Sequence, residues 1–197
     1  PIPLGKARMN FRTIASPAAF LTDPHLAWGF YGHRLTLYRD TQPHAGFAIL
    51  QRIASQMPHG AFVFTSNVDG QFQKSGFSEM QVCECHGSIH HLQCLSPQCE
   101  PRIWPAGGFL PLVDVDTCRL ESPPPRCSAC GSIARPNILM FGDGSWLAGR
   151  SEQQNKRLQN WLRTTRSPVV IEIGAGTQVP TVRWFGEMRG DPLIRIN

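Results

Sequence analysis

The stretch AFVFTSNVDGQFQKSGFSEMQVCECHG, residues 61–87, decides how the rest of the chain is interpreted. It opens with the short apolar run Ala61–Phe64, bounded by turn-forming residues, which is typical of a strand buried on both faces of a parallel sheet. A second strand is predicted over Met80–Cys85, and it leads directly into His86 and Gly87. Such strands, alternating with helices, indicate an α/β fold with a doubly wound parallel sheet.

Small polar residues follow the first of these strands at its carboxyl end: Thr65, Ser66, Asn67 and Asp69. Ligands of open α/β sheets bind just beyond the carboxyl ends of the strands. We therefore expect Asn67, Asp69 and His86 to face one crevice. Taken alone, the N-x-D pattern after a strand is more typical of a turn with Asx hydrogen bonding, so both interpretations stay open.

His86 is the candidate general base. Imidazole titrates near neutral pH and can accept a proton from a hydroxyl group. A single histidine is more often structural, but its position at a strand end before Gly87, opposite Asn67 and Asp69, favours a catalytic role. If the His86 ring pointed into a packed core, the catalytic interpretation would fail.

Two cysteine pairs lie in a segment rich in proline and glycine: Cys94-x4-Cys99 and Cys127-x2-Cys130. Paired thiolates on tight turns can form the closed tetrahedral sulfur site that zinc prefers, with no position open to water. The alternatives are four buried or free cysteines, or disulfides. The odd total of seven cysteines and the absence of a secretion signal argue against disulfides.

Other cysteines and histidines receive different interpretations. His90 and His91 lie close enough in sequence to serve as substitute zinc ligands, although surface positions are the simpler expectation. Cys83 and Cys85 share one face of the second predicted strand, so we expect them in the core or lining the crevice.

The remaining elements alternate between helix and strand. Ser16–Pro17 and Asp23–Pro24 each begin a helix, with a polar N-cap and proline at the first position. The later predictions are a strand over 137–141, a helix over 151–164 with Ser151 as its cap, a strand over 169–173, a helix over 181–189 and a strand over 193–196.

A glycine-containing turn, Gly174–Ala175–Gly176–Thr177, joins the last predicted strand–helix pair. Backbone amides before a helix can approach a phosphate or a ribose. A tight strand–helix turn accounts for the same residues, so the motif is weak by itself.

Composition limits the class of protein. The chain has 197 residues, 41% of them hydrophobic and 17% charged, which suits one folded domain with an inserted module. No run approaches the ~18 apolar residues of a membrane span. Seven cysteines without a secretion signal predict a reducing compartment, and we expect a cytoplasmic protein. The net charge of +5 identifies no partner, and we expect neither a membrane nor a nucleic-acid partner.

The motif TSNVDGQFQKSG, residues 65–76, followed by CHGS, residues 85–88, resembles the sirtuins, which are NAD-dependent protein deacylases. Their usual pattern is TQN[IV]DGLHxxAG followed by HG. The chain differs at Ser66, where the family usually has glutamine, and at Phe72, where it usually has histidine. The segment from Arg135 to Asp143 similarly resembles RPxVVxFGE, which borders the substrate cleft in the family.

The resemblance implies a Rossmann-like doubly wound parallel sheet with an inserted four-cysteine zinc module and a helical module. We expect a helical segment over 1–58, an NAD-binding domain over 59–92 and 135–197, and a zinc-binding module over 93–134. A sirtuin would begin with the loop GAGxSxxSGxPDFR, which does not precede Pro1. We therefore expect a fragment that binds NAD weakly by itself.

The resemblance also implies roles for single residues. His86 would deprotonate a hydroxyl of the nicotinamide ribose, and the structural zinc would be held by Cys94, Cys99, Cys127 and Cys130. NAD would be the co-substrate and an acyl-lysine protein or peptide the substrate. The residues implied to contact NAD are Ser66, Asn67, Val68, Asp69, Gly174, Ala175, Gly176 and Asn197, with Thr177 as a possible source of the hydroxyl that the family takes from a serine at position 176.

Two alternatives remain at this point. The same site could transfer ADP-ribose to a protein or hydrolyse NAD, because Ser66 and Gly176 depart from the family pattern. The chain could instead be a non-catalytic zinc-ribbon binding module. A plain zinc ribbon needs neither a flanking α/β sheet nor a histidine at a strand end, which favours the enzyme.

Overall fold

The computed structural model of the protein describes residues 10–100 and 102–196. Asn197, predicted to contact NAD, lies outside the described residues. The helices are α1 (Phe11–Ile14), α2 (Pro17–Thr22), α3 (Pro24–Asp40), α4 (Ala45–Ser55), α5 (Gln71–Lys74), α6 (Gly149–Thr164) and α7 (Thr181–Met188). The strands are β1 (Val63–Thr65), β2 (Val82–Glu84), β3 (Gly87–Cys94), β4 (Ile103–Pro105), β5 (Val113–Asp114), β6 (Arg119–Leu120), β7 (Ala134–Ile138), β8 (Val170–Ile173) and β9 (Leu193–Ile196).

The described residues form two compact units. We call the first the cysteine unit, comprising residues 10–42, 68–71 and 87–150. The second, the histidine unit, comprises residues 43–67, 72–86 and 151–196. These units follow spatial contacts, whereas the domain boundaries inferred from the sequence stay a prediction.

The core of the cysteine unit is built around α3. Trp28 and Leu35 are fully buried, and the Trp28 indole donates a hydrogen bond of 2.9 Å to the carbonyl of Ala134. Gly29 is required on this helix, because a Cβ atom there would lie 1.9 Å from the backbone oxygen of Cys118. The glycine that weakens the helical pattern in the sequence therefore lets the helix approach a neighbouring chain segment closely.

Antiparallel strands carry the rest of the cysteine unit. The sheet has the order β4-β3-β7, and β5 pairs with β6. Strand β3 pairs with β7 from Gly87↔Ile138 to Cys94↔Ala134, with an irregularity between Ser88 and Leu92. This register places Cys94 at the end of the sheet, close to Cys127 and Cys130.

Parallel strands characterise the histidine unit. Strand β1 pairs in parallel with β2, and β8 pairs in parallel with β9. Helix α7 covers one face of the second pair, because the Cβ position of Gly186 lies 3.4 Å from Val170 and 3.7 Å from Leu193. On the opposite face Ile171 stands beside Ile194 and Ile173 beside Ile196, and all four are exposed.

Several predicted boundaries differ from the structure. The first strand covers Val63–Thr65 rather than 61–64. The second strand begins at Val82, because Glu79–Gln81 form a 3₁₀ turn in which Ser78 accepts a hydrogen bond from the Met80 amide. The strand predicted over 137–141 is Ala134–Ile138, since its residues pair with β3.

Ser151 is not an N-cap, because α6 already begins at Gly149. The later strands agree closely with prediction: β8 covers Val170–Ile173 and β9 covers Leu193–Ile196. Among the described helices, none is both long and apolar enough to cross a membrane.

Candidate functional site

The four predicted zinc ligands form one cluster in the cysteine unit. Their sulfur atoms all lie within 4.8 Å of one another. The Cys94 and Cys130 sulfurs are 3.5 Å apart, and those of Cys99 and Cys127 are 3.7 Å apart. A tetrahedral zinc site with Zn–S bonds of about 2.3 Å requires sulfurs about 3.8 Å apart. The observed separations therefore fit zinc.

Tight turns bring these sulfurs together. Cys94 ends β3, and the next amide, that of Leu95, donates a hydrogen bond of 3.1 Å to the carbonyl of Ile133. The Gly131 amide donates a hydrogen bond of 2.9 Å to the carbonyl of Cys127, closing the turn around Cys130. Gly131 has a φ of +73°, which glycine adopts without strain.

Hydrogen bonds to two of the sulfurs favour thiolates, the form that binds metals. The Ser132 hydroxyl and amide lower the pKa of Cys130 to about 6. The backbone amides of Ala129 and Cys130 lower the pKa of Cys127. The hydrogen bond with Cys130 raises the pKa of Cys99 to about 12, so without a metal the cluster shares protons among its sulfurs. Zinc would displace those protons, and four thiolates would leave it no open position.

The two neighbouring histidines differ from the cysteines. The His90 ring donates through Nε2 to the carbonyl of Asp69 at 2.8 Å, so it holds a backbone turn. Among the described residues, the group of side chains that could hold a metal ion consists of the four cysteines and includes neither His90 nor His91. The two histidines are therefore outside the cluster, as expected, but both are half-buried rather than exposed at the surface.

His86 and the end of β1 lie together in the histidine unit. Strands β1 and β2 run in parallel with Thr65 opposite Glu84, and the Cys85 amide donates a hydrogen bond of 2.9 Å to the carbonyl of Thr65. The chain therefore places Ser66 and His86 just beyond the carboxyl ends of adjacent strands. Asn67 is exposed, and its amide donates to the Thr65 hydroxyl at 3.0 Å.

The His86 ring is half-buried rather than enclosed in the apolar core. Its Nε2 lies 3.1 Å from the hydroxyl oxygen of Thr181, the first residue of α7. Burial lowers the pKa of His86 below its usual 6.5. The ring is therefore neutral at pH 7 and can accept a proton.

A buried polar group that the sequence did not predict lies at the end of β2, two residues before His86. Glu84 is 1% exposed, and its amide donates to Gln154 Oε1 at 3.0 Å while Gln154 Nε2 donates to its carboxylate at 3.2 Å. The Ser151 hydroxyl donates to the carbonyl of Glu84 at 2.8 Å. Ser151 and Gln154 thus connect α6 to β2 and fix the strand that carries His86. Glu84 and Gln154 are 70 positions apart, so no local sequence pattern indicates this group.

Val68 and Asp69 belong to the cysteine unit. The Val68 carbonyl accepts a hydrogen bond of 2.9 Å from the amide of Ile89. Asp69 Oδ1 accepts a hydrogen bond of 3.0 Å from the amide of Gln71, which is the Asx turn that the pattern also allowed. Of the predicted NAD contacts in this stretch, Ser66 and Asn67 therefore lie in the unit of His86, and Val68 and Asp69 in the other.

The turn Gly174–Gly176 lies between β8 and α7, with both glycines exposed and Ala175 half-buried. Gly174 has a φ of +63°, and its amide donates a hydrogen bond of 2.9 Å to the carbonyl of Ile196. Arg183 donates to the carbonyl of Ala175 at 3.1 Å, which holds the turn from the helix side.

The buried carboxylate of Glu172 is connected to this turn through Arg183, which also donates to the carbonyl of Ala175. Glu172 is 3% exposed and lies 2.5 Å from the Arg195 guanidinium and 3.6 Å from that of Arg183. The hydrogen bond from Arg195 is the main reason that the pKa of Glu172 is lowered. The ion pairs join β8, β9 and α7.

A buried ion pair explains Asp143 in the segment that resembles RPxVVxFGE. The Arg135 and Asp143 side chains are both 0% exposed and lie 2.8 Å apart. Arg135 also donates to the carbonyl of Ile138 at 3.2 Å, and Asp143 accepts from the amide of Met140 at 3.3 Å. Aspartate at this position therefore stabilises the turn that follows β7.

Comparison with known proteins identifies the family. A model of the Sir2 family matches residues 6–181. The chain belongs to the Sir2 family. A relative from Thermococcus kodakarensis, named NAD-dependent protein deacylase, is 31% identical over 93% of this chain and 66% of its own length. One of the same name from Aquifex aeolicus is 31% identical over 66% of this chain and 48% of its own. The chain thus spans about half to two thirds of these relatives.

Solved Sir2 structures share the fold. A mutant Sir2 homologue in complex with 2'-O-acetyl-ADP-ribose has a TM-score of 0.67 and 24% identity, covering 96% of this chain and 68% of its own. Sir2 bound to an acetylated peptide has a TM-score of 0.66 and 18% identity, covering 100% of this chain and 77% of its own. With the parallel strands and the cysteine cluster, these neighbours confirm the predicted fold class, and the family-model match confirms the resemblance to sirtuins.

Proposed function

We propose that the protein is an NAD-dependent protein lysine deacylase, which transfers the acyl group of an acyl-lysine to ADP-ribose and releases nicotinamide. The observation that carries the proposal is the position of His86. In a Sir2-family chain, a half-buried neutral imidazole lies directly beyond β2, beside the end of β1. Relatives named NAD-dependent protein deacylase and a solved Sir2 structure with a bound acetylated peptide support the same substrates, NAD and an acyl-lysine peptide.

The chemistry assigns a role to each region. NAD, when bound, supplies the anomeric carbon that accepts the acyl oxygen as nicotinamide departs, and water completes the cleavage. His86 accepts the proton of a ribose hydroxyl. Ser66, Asn67, Val68 and Asp69 would each contact NAD on its nicotinamide-ribose side. The backbone of Gly174, Ala175 and Gly176 would contact the cofactor, and Asn197, which lies outside the described residues, would contact the adenine-side ribose.

The cysteine cluster has a structural role in this proposal. Zinc held by four thiolates would fix the turns of a module over 93–134, inserted between the 59–92 and 135–197 parts of the NAD-binding domain, with 1–58 as the helical segment. Because the seven cysteines, all of them among the described residues, are not paired in disulfides, we also propose a cytoplasmic location. We propose no membrane or nucleic-acid partner.

A second function uses the same site. Ser66 stands where the family has glutamine, and its short side chain cannot reach as far toward a ribose. A pocket altered at this point could transfer ADP-ribose to a protein or hydrolyse NAD. The zinc-ribbon alternative, without catalysis, is disfavoured because His86 is not enclosed in a core.

The test is nicotinamide release by the complete gene product that contains this chain, measured with and without an acetyl-lysine peptide. Release that requires the peptide is the expected result. Release at the same rate without peptide would replace the deacylase by an NAD hydrolase or an ADP-ribosyltransferase. No release from a zinc-loaded, folded protein would leave the binding-module alternative.

A further inference from the structure

The His86 ring has a side-chain partner that the proposed function does not require. Thr181 Oγ1 lies 3.1 Å from His86 Nε2, although the two residues are 95 positions apart in sequence. Both belong to the histidine unit. In the part of the chain that the structure describes, Thr181 is the side chain that hydrogen-bonds this imidazole.

Thr181 is held in place by its helix. Phe185, one turn further along α7, stacks on Phe64 of β1 with ring centroids 4.0 Å apart and planes inclined by 16°. Gly186 packs against Val170 of β8, as its Cβ position lies 3.4 Å from that side chain. The helix start is therefore fixed against the strands, which holds the backbone of Thr181 close to the His86 ring.

A neutral imidazole carries its proton on one nitrogen, and the partner of each nitrogen decides which one. A hydroxyl can accept a hydrogen bond from an Nε2–H group, which leaves Nδ1 as the basic nitrogen. The same hydroxyl would continue to accept from Nε2–H after Nδ1 takes up a proton. An orienting hydrogen bond of this kind is the usual partner of a catalytic base.

We propose that Thr181 is a positioning residue: its hydroxyl accepts a hydrogen bond from Nε2–H of His86 and leaves Nδ1 free to accept the substrate proton. This inference rests on the proposed function of His86 as the base, but the contact itself can be tested without catalysis. Thr181 touches no reacting atom in this scheme.

The first test is nitrogen NMR of the imidazole rings in uniformly ¹⁵N-labelled protein, with the His86 signals assigned by their loss in His86→Gln. We expect the wild type to show the Nε2–H tautomer. Thr181→Val, which keeps the shape and removes the hydroxyl, should shift the His86 signals towards a mixture of tautomers. Thr181→Ser should restore them. Thr164→Val is the matched control, because Thr164 bonds only helix carbonyls of α6 and should leave His86 unchanged.

The second test is steady-state kinetics of acyl-dependent nicotinamide release by the complete gene product. We expect Thr181→Val to lower kcat about tenfold, a fraction of the 10²–10⁴-fold that a general base supplies, with KM for peptide and NAD nearly unchanged. Thr181→Ser should recover most of the rate.

The outcomes separate the two claims. If the wild type releases no nicotinamide, the proposed function fails, and the positioning role fails with it even where the NMR contact is present. If the wild type is active but Thr181→Val has unchanged His86 signals and unchanged kcat, the positioning role is wrong while the deacylase stands. An equal loss in Thr181→Ser and Thr181→Val would also overturn it, because the hydroxyl would then not be the active group.

Discussion

The cysteine cluster and the His86 site are organised differently. The cluster is complete within the cysteine unit: four sulfurs within 4.8 Å, set by two short sequence spacings and a sheet register. The residues proposed to bind NAD are divided, with Ser66, Asn67 and His86 in one unit and Val68 and Asp69 in the other. The difference shows that a site built from turns can be read from local spacing, whereas a strand-end site depends on distant elements.

The largest expected effect is the loss of a zinc ligand. Cys127→Ser should reduce zinc from about one ion per chain to well under half, because metal binding contributes ~10–16 kcal/mol to the folding of small four-ligand modules. The measurement is zinc content by atomic emission together with thermal unfolding. Cys118→Ser is the control, since Cys118 is 6% exposed and lies outside the cluster. Full zinc content in Cys127→Ser would show that the cluster is not the metal site.

A smaller effect is expected from the buried ion pair of the same unit. Asp143→Asn should destabilise the protein by about 3–5 kcal/mol, because it leaves the Arg135 charge buried without its partner. Chemical denaturation measures this difference. Glu187→Gln breaks an exposed pair with Arg195 and should cost at most about 1 kcal/mol. Equal costs for the two variants would mean that burial does not determine the strength of the Arg135–Asp143 pair.

The smallest effect concerns His86 and pH. Its pKa in the folded protein lies below the 6.5 of the unfolded chain, because burial disfavours the charged ring. Below pH 6.5 the unfolded chain binds a proton at His86 more readily than the folded protein does. The free energy of unfolding therefore has its full contribution from His86 above pH 6.5 and loses it as pH falls towards the pKa of the folded state. His86→Gln should flatten the pH dependence of the unfolding free energy in this window. A steeper dependence in the variant would contradict the assigned direction.

Local signals in the sequence predicted much of this structure. The spacing of Cys94, Cys99, Cys127 and Cys130 predicted the cluster, and β-branched runs predicted β8 and β9. The helices beginning at Pro17 and Pro24 follow from their proline and cap residues. These features depend on neighbours in the chain, which is why composition and spacing reveal them.

Long-range contacts could not be predicted in this way. Ser151 has the residue type of a cap but instead bonds the carbonyl of Glu84, 67 residues away. Thr181 reaches His86 across 95 residues, and neither position carries a pattern that indicates its partner. Asp143 departs from the glutamate of the family motif, and only its position opposite Arg135 in the structure reveals its structural role.

The most direct test of the central claim is identification of the product by mass spectrometry. The complete gene product, NAD and an acetyl-lysine peptide should give acetyl-ADP-ribose in equal amount to nicotinamide, and His86→Tyr should give none while remaining folded. Wild-type production of free ADP-ribose without any peptide requirement, or undiminished acetyl-ADP-ribose from His86→Tyr, would contradict the assignment of His86 as the base of a deacylase.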